Sequence, residues 1–261
     1  MNIFLWLIGL STALYLLSLT ILTLFQRNFI YRQTAAVQRV DEIASFRLQS
    51  DDAELQIWQI NPGQEQAIIY FGGNCEKVAL KAEYWQVLFP NHTVYLNEYR
   101  GYGESTGKPQ QSKLYQDALN LYDALAPKHQ SIDVIGRSLG AAMAIYVAAH
   151  RQIGRLVMVT PFDSLLALVQ RMYRIFPVGL MLKDHYPSIY FASKVTVPTL
   201  VVIAANDRVV PPRHAWRLLE ALPKGLGSSV VLAGHGHNHF HAEPVYEQAI
   251  LRFFNQSTTF N

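Results

Sequence analysis

Cysteine is nearly absent from this 261-residue chain, since Cys75 is its only one. A single cysteine excludes an internal disulfide framework, and nothing in the cysteine content requires an oxidising compartment. An excess of one charge is also missing, because 22 Lys and Arg against 19 Asp and Glu give a formal net charge of +3. The sequence has no long run of Lys or Arg, so electrostatics gives no reason to expect nucleic acid as a partner. It also contains no internal repeat and no phosphate-loop motif.

Charged residues are missing altogether from residues 3–25, which read IFLWLIGLSTALYLLSLTILTLF. A helix of that length rises about 34 Å, enough to cross a hydrocarbon core of roughly 30 Å. The segment lacks the basic start and small-residue cleavage site of a secretory signal. It is apolar on every face, unlike the helix of a globular surface. We therefore predict an uncleaved transmembrane anchor over residues 1–26 and a globular domain over residues 27–261.

The flanks of this segment predict its orientation. No Lys or Arg precedes it, whereas Arg27, Arg32 and Arg39 follow it. Positively charged flanks stay on the cytoplasmic side of a membrane. The sequence thus predicts a single-pass membrane protein whose globular domain faces the cytoplasm.

Apolar strand patterns alternate with helical patterns along the rest of the chain. Strands are predicted over residues 43–49, 55–60, 67–71, 93–96, 132–135, 156–159, 199–204 and 229–232. Helices are predicted over residues 76–89, 112–125, 141–150, 212–222 and 244–254. Such alternation is typical of an α/β fold, with a mostly parallel sheet and helices on both faces.

Residues 163–197 interrupt the alternation. They contain about two helical stretches, rich in leucine and aromatic residues, and no clear strand. We interpret them as a small helical cap insertion that lies over the carboxyl edge of the sheet. The alternative is an ordinary crossover helix with a long loop.

A serine lies between two glycines where a strand gives way to a helix, in Gly136-Arg137-Ser138-Leu139-Gly140. Ligands of open α/β sheets bind outside the carboxyl ends of the strands. A sharp strand-to-helix turn presents a hydroxyl there only if its neighbours two positions away are very small, as in the nucleophile elbow. We predict Ser138 as a nucleophile, against the alternative of a helix-capping serine in a tight glycine turn.

A serine hydroxyl needs a base to accept its proton and a carboxylate to orient that base. Asp207 follows the apolar strand TLVVIAA, and His237 follows the strand SSVVLA, so both belong at the same sheet edge as Ser138. Their chain order, Ser, Asp, His, is the one expected for this architecture. Asp163 is the competing acid, although it more simply caps a helix that begins at Ser164.

Four histidines alternate in one loop, at positions 235, 237, 239 and 241. His237 is the preferred base because it follows Gly236, which gives the loop freedom to approach the serine. His235 is the second choice. A metal-binding cluster is a third interpretation, disfavoured because no matched set of cysteines or carboxylates lies nearby. The predicted chemistry requires no metal or other cofactor.

An acyl-transfer reaction also needs backbone amides that bind the oxyanion. We assign one to Leu139, directly after the nucleophile. The second is assigned to Asn74 in the loop Gly72-Gly73-Asn74-Cys75, with Gly73 as the alternative. Cys75 has no dedicated base in the sequence and is expected to serve in packing.

Together these residues resemble the α/β-hydrolase superfamily, and more closely its membrane-anchored α/β-hydrolase-domain proteins of the bud-emergence-related type. The likeness extends from about residue 25 to the end. The matching motifs are YRGYGESTGKP at residues 99–109, GRSLG at 136–140, DRVVP at 207–211 and GHN at 236–238. The resemblance implies an α/β-hydrolase fold and a Ser138-His237-Asp207 triad.

Three positions depart from the pattern of these relatives. Gly72 stands where a histidine is usual, His239 where an acidic residue is usual, and Glu98 where an aspartate is usual. Glu98 and Arg100 are expected to form an ion pair that holds the loop over residues 99–109.

The resemblance and the residues together indicate a serine hydrolase of acyl esters or thioesters, such as an esterase, lysophospholipase or acyl-thioesterase. The expected substrate is a small-molecule or lipid acyl ester, since the anchor and the apolar insertion suggest contact with lipid. Two alternatives stay open. One is a serine peptidase on the same fold, and the other is a non-catalytic, membrane-tethered binding module.

Overall fold

Eight strands form one sheet in the computed structural model, which describes residues 2–37, 43–238, 240 and 243–255. The order across the sheet is β1-β2-β4-β3-β5-β6-β7-β8. The strands are β1 Ala44–Ser50, β2 Ala53–Ile60, β3 Gln66–Phe71, β4 Thr93–Asn97, β5 Ser131–Arg137, β6 Leu156–Val159, β7 Thr199–Ala204 and β8 Gly227–Leu232. Each lies within a few residues of its predicted position.

The sheet is parallel from β4 through β8, and β1 and β2 pair antiparallel at the other edge. The central strands are buried along nearly their whole length, because helices cover both faces and their sequences are almost continuously apolar. The hairpin between β1 and β2 turns at Asp51, whose φ of 49° is one that aspartate tolerates better than most residues. The predicted mainly parallel sheet is confirmed.

Helices cover both faces of this sheet. The α-helices of the described residues are α1 Asn2–Ile30, α2 Ala82–Leu88, α3 Gln111–Leu125, α4 Leu139–His150, α5 Leu165–Met172, α6 Val178–Met181, α7 Ser188–Ala192, α8 Arg213–Ala221 and α9 Pro244–Asn255. Residues of α3, α4, α7 and α8 build the apolar core on one face, and residues of α2 and α9 build it on the other. The helix predicted over residues 76–89 is shorter than expected, because Val78–Lys81 forms a 3-10 turn before α2.

Helices α5, α6 and α7 lie between β6 and β7, in the segment that breaks the alternation of strands and helices. Ser164 caps α5 by accepting a hydrogen bond from the amide of Ala167 at 3.4 Å. We call residues 163–197 the cap. The cap contains no strand, as the sequence indicated, but it holds three short helices where about two were predicted.

The N-terminal helix α1 continues through Ile30, past the predicted anchor boundary at residue 26. Among the described residues it is the one helix long and apolar enough to cross a membrane. Its last turns are fixed to the cap. Arg27 pairs with Asp184 at 3.0 Å, and the hydroxyl of Tyr31 lies 3.0 Å from Asp184 and 2.7 Å from the hydroxyl of Tyr186.

Candidate active site

Ser138 lies at the junction of β5 and α4 with a φ of 50°, a left-handed conformation that is strained for a serine. The turn at Ser138 is so sharp that the residues two positions before and after it lie directly against the backbone of other residues. A side chain at Gly140 would collide with the carbonyl of Phe71, and one at Gly136 would collide with the carbonyl of Gly140. These two glycines therefore permit the turn that brings the hydroxyl of Ser138 to the edge of the sheet.

His237 lies within hydrogen-bonding distance of both Ser138 and Asp207. Its Nε2 is 2.9 Å from the Oγ of Ser138, and its Nδ1 is 2.7 Å from Oδ2 of Asp207. Each of the three residues follows the carboxyl end of a different strand, β5, β7 or β8, so the parallel sheet brings them to one edge. This is the geometry in which a histidine accepts a proton from a serine while a carboxylate fixes its tautomer.

The carboxylate of Asp207 is itself held in place. Its Oδ1 accepts hydrogen bonds from the amides of Val209 and Val210, each at 2.8 Å, which leaves Oδ2 for the imidazole. The side chain of Asp207 is buried. A buried carboxylate keeps one orientation and can therefore fix the orientation of the histidine.

Leu139 and the loop after β3 offer backbone amides near the serine. Leu139 is the first residue of α4, so its amide has no intrahelical acceptor. The amide of Gly73 donates to Oε2 of Glu76 at 2.7 Å and is not available to a substrate. The amide of Asn74 has no acceptor among the described residues. Of the two sequence-based choices for the second oxyanion donor, the geometry therefore favours Asn74 over Gly73.

The side chain of Asn74 is held from three directions. Its Nδ2 donates to the carbonyl of Ile30 at 2.7 Å, while its Oδ1 accepts from the amide of Arg32 at 3.0 Å and from the hydroxyl of Tyr102 at 2.7 Å. Tyr99 adds a hydrogen bond of 2.6 Å to the carbonyl of Gly72. The end of α1 and the loop over residues 99–109 thus support the predicted oxyanion loop.

Arg137, which precedes the serine, connects two loops of the site. Its Nη1 donates to Oε2 of Glu76 at 2.9 Å, and its Nη2 donates to the carbonyl of His237 at 3.2 Å and to Oδ1 of Asn238. Burial lowers the pKa of this guanidinium, but Glu76 together with the neighbouring tyrosines raises it above its ordinary value. Sequence reasoning missed this bridge, although its position inside GRSLG was visible.

His235, the other described histidine of the loop, binds groups other than the serine. His235 lies 3.1 Å from Oε1 of Glu243, and its Nδ1 contacts the carbonyl of Ala233 at 2.8 Å. The hydrogen bond that His235 donates to the Glu243 carboxylate raises the pKa of His235. His239 and His241 lie outside the described residues. Within the described part of the chain, no group of three or more His, Cys, Asp or Glu has the arrangement of a metal site.

Asp163, the competing acid, belongs to a separate buried pair. Its Oδ1 lies 2.6 Å from Nδ1 of His214 and accepts the amide of Ser164 at 2.7 Å, and its Oδ2 lies 3.2 Å from Nη1 of Arg217. Burial raises the pKa of Asp163, but these partners lower it below its ordinary value. The expected capping role of Asp163 is wrong, because Ser164 is the N-cap of α5 and Asp163 binds His214.

Two further sequence-based expectations are wrong. Glu98 and Arg100 do not pair: Glu98 accepts from the Trp58 indole at 3.1 Å and from the Glu104 amide at 2.8 Å, whereas Arg100 binds Asp117 at 2.6 Å. Residues 99–109 are held by these separate contacts. The packing role expected for Cys75 is also wrong, because its side chain is exposed and lines the cavity beside Ser138.

Comparisons with known proteins place this chain among serine hydrolases. A family model described as serine hydrolase (FSH1) matches residues 74–242. An uncharacterized protein of Mycobacterium tuberculosis strain H37Rv is 34% identical over 183 residues, which cover 67% of this chain and 64% of that protein.

The α/β-hydrolase domain-containing protein 17C of Xenopus tropicalis is 25% identical over 203 residues, covering 75% of this chain and 63% of that protein. The chain thus spans slightly less than two thirds of the length of these curated relatives. The esterase Pf2001 of Pyrococcus furiosus superposes with a TM-score of 0.69 at 18% identity, covering 86% of this chain and 97% of that one. That likeness confirms the predicted α/β-hydrolase fold.

Proposed function

The chain belongs to the FSH1 family of serine hydrolases, and from that premise we propose that it is a membrane-anchored enzyme that hydrolyses acyl esters or thioesters. The observation that carries the proposal is the 2.9 Å separation between Nε2 of His237 and Oγ of Ser138. A hydroxyl and an imidazole at hydrogen-bonding distance, with the imidazole held by a buried carboxylate, form an activated nucleophile.

Ser138 attacks the carbonyl carbon of the substrate while His237 takes the hydroxyl proton on Nε2. The imidazolium that forms is stabilised by Asp207 through Nδ1. The negative charge that develops on the carbonyl oxygen is bound by the amides of Leu139 and Asn74. All of these groups come from the chain itself.

Collapse of the tetrahedral intermediate breaks the bond between the carbonyl carbon and the leaving oxygen or sulfur. His237 returns its proton to the leaving alcohol or thiol, and an acyl group stays on Ser138. Water then attacks the acyl carbonyl while His237 accepts a proton from it. Collapse of this second intermediate breaks the bond to Oγ of Ser138, Oγ takes the proton back from His237, and the free acid leaves. The strained backbone at Ser138 holds the hydroxyl in place for both steps.

We assign α1 as the membrane-spanning helix. Large apolar side chains are exposed along most of its length, which water does not tolerate in a helix without a partner. Its last turns are bonded to the cap and to Asn74, so removal as a signal sequence would take away part of the site. The globular domain is proposed to face the cytoplasm because Arg27 and Arg32 follow the apolar segment. Arg39 also follows the apolar segment in the sequence, but it lies outside the described residues.

Hydrolysis of p-nitrophenyl butyrate, its thioester analogue and an aminoacyl p-nitroanilide by the purified full-length chain tests the proposal. We expect the ester and the thioester to be hydrolysed, and Ser138→Ala to lose both activities. A preference for the anilide would favour the peptidase alternative. A folded protein that turns over none of the three would favour the non-catalytic binding module.

A further inference from the structure

A cavity of about 700 Å³ extends from Ser138 to α1 and the cap. Its size is ordinary for a small-molecule site, for which the range is roughly 300 to 1,000 Å³. Ser138, His237 and Asn238 line its catalytic end. Most residues that line the rest of the cavity are apolar and come from α1 and the cap.

Two helices form much of the apolar lining. The cap helix α5 contributes Leu165, Leu168, Val169 and Met172, whose spacing of three and four residues places them on one helix face. The anchor helix α1 contributes Leu22, Gln26, Phe29 and Ile30, which also share one face. Part of the wall of this cavity therefore belongs to the segment assigned to the membrane.

Gln26 is the one polar residue among these eight, and its amide is already used. Its Nε2 donates to the carbonyl of Met181 at 3.0 Å, and its Oε1 accepts from the amide of Lys183 at 2.7 Å. A buried side-chain amide that is already hydrogen-bonded to backbone groups needs no hydrogen bond from a ligand. The wall thus offers its ligand mainly apolar contact.

The cap also contacts α1 at a depth that lies inside the span. A hydrocarbon core takes about twenty helical residues, so a span that starts at Ile3 ends near Leu22. Tyr15 lies within it, yet its hydroxyl donates to the carbonyl of Ile175 at 2.8 Å and its ring stacks on Phe176 at 5.5 Å. If α1 spans the bilayer as proposed, the tip of the cap is immersed together with it.

The surface of the cap agrees with immersion. Ile175 is 74% exposed and Leu180 is 90% exposed in the free chain, and neither is needed to close the core. The carbonyl of Ile175 accepts a hydrogen bond from Tyr15, so this part of the cap adjoins the exposed apolar side chains of α1. A group of exposed apolar side chains marks a surface that contacts lipid or another protein. Continuity with the anchor favours lipid.

From these observations we propose that the cavity is a subsite for the fatty acyl chain of a membrane lipid ester, which enters from the bilayer between α1 and the cap. This proposal rests on the proposed function, because Ser138 at the polar end is the group that attacks the ester. The acyl chain lies against α1 and α5, and the carbonyl carbon reaches Ser138. The anchor is then part of the substrate site as well as a tether.

The test uses the full-length chain in phosphatidylcholine vesicles, with p-nitrophenyl palmitate in the bilayer and p-nitrophenyl butyrate in solution. Val169→Trp and Leu22→Trp narrow the subsite from its two walls, and Gln170→Trp and Leu24→Trp are matched controls on neighbouring positions that do not line the cavity. Each filling variant is expected to lower the ratio of palmitate to butyrate kcat/KM by about tenfold or more, since a few lost methylene contacts have that effect. The controls are expected to keep the wild-type ratio.

Immersion of the cap is tested separately with Leu180→Glu, whose matched control is Val87→Glu on α2, a site that is 76% exposed. Leu180→Glu is expected to lower the ratio of palmitate turnover in vesicles to palmitate turnover in detergent micelles, and Val87→Glu is expected to keep it. If Val169→Trp and Leu22→Trp hydrolyse butyrate and both keep the wild-type ratio of palmitate to butyrate kcat/KM, the acyl-chain subsite is contradicted. The proposed function is then unaffected. A wild-type chain that hydrolyses neither ester would overturn both.

Discussion

Asn74 joins the predicted oxyanion loop to the end of the anchor helix through Ile30, whose carbonyl oxygen accepts a hydrogen bond from Nδ2 of Asn74 at 2.7 Å. Ile30 is the last residue of α1, where carbonyls have no intrahelical partner. The bond therefore satisfies a helix end and orients the loop at the same time. It connects the membrane segment to the group that we assign to oxyanion binding.

Asn74→Ala is expected to lower kcat for p-nitrophenyl butyrate by about tenfold, less than the loss of a whole oxyanion donor, which costs about 10²- to 10³-fold. The backbone amide remains in the variant, but its orientation is no longer fixed by Ile30, Arg32 and Tyr102. KM is expected to change little. Steady-state kinetics measures both constants, and an unchanged kcat would contradict the positioning role.

Asp207→Asn and Asp163→Asn separate the catalytic acid from the buried structural one. Asp207→Asn is expected to lower kcat by about 10⁴-fold, because the amide favours the wrong tautomer of His237. Asp163→Asn is expected to leave kcat near the wild-type value and to lower the free energy of unfolding by about 1–3 kcal/mol, through its weakened bonds to His214 and Arg217. Steady-state kinetics and urea unfolding of both variants measure these effects. A large loss of kcat in Asp163→Asn with little loss in Asp207→Asn would identify Asp163 as the catalytic acid.

Arg137 and Glu76 form a nearly buried ion pair, with side chains 9% and 6% exposed. Arg137→Met is expected to lower the free energy of unfolding by about 3–5 kcal/mol, because it removes the positive charge that Arg137 places beside the buried Glu76 carboxylate. The same change in a Glu76→Gln background is expected to cost less, since no buried charge is then left over. Equal costs in the two backgrounds, measured by urea unfolding of the four proteins, would show that the two residues do not interact.

Asp133, buried in β5, predicts a pH-dependent contribution to stability. Burial raises its pKa from 3.8 to about 6, so the folded state binds this proton more tightly than the unfolded state. Its stabilising effect is complete below pH 3.8 and is lost as the pH rises through 6. A shift of two units corresponds to about 3 kcal/mol.

Asp133→Asn has no proton to lose, so the free energy of unfolding of the variant is expected to lack this decline. Thermal unfolding of wild type and variant between about pH 4 and pH 7 measures the difference. Two curves that stay parallel over that interval would show that Asp133 does not titrate there.

The sheet was predictable because its central strands are short apolar runs that end at polar loops, as at β7 before Asp207. The positions of Ser138, Asp207 and His237 at one sheet edge followed from that pattern, since parallel strands end on the same side. Their distances had to come from the structure. Their catalytic roles remain predictions.

Contacts between distant segments were harder to predict. Arg100 binds Asp117 and not Glu98, and Asp163 binds His214, because partner choice depends on how helices α3 and α8 pack. No local pattern records such packing. The same reason explains why the sequence indicated α1 only as an anchor, while the structure also places its last turns beside Ser138.

Labelling with a fluorophosphonate probe tests the central claim, the activation of Ser138 by His237, most directly. The account predicts that the full-length chain is labelled on Ser138, as located by peptide mass spectrometry, and that Ser138→Ala and His237→Ala lose the label. Ser193→Ala, at a serine on the exposed surface of the cap, serves as the control and is expected to be labelled like wild type. A folded wild-type chain that takes up no probe, or takes it up equally without Ser138, would contradict the account.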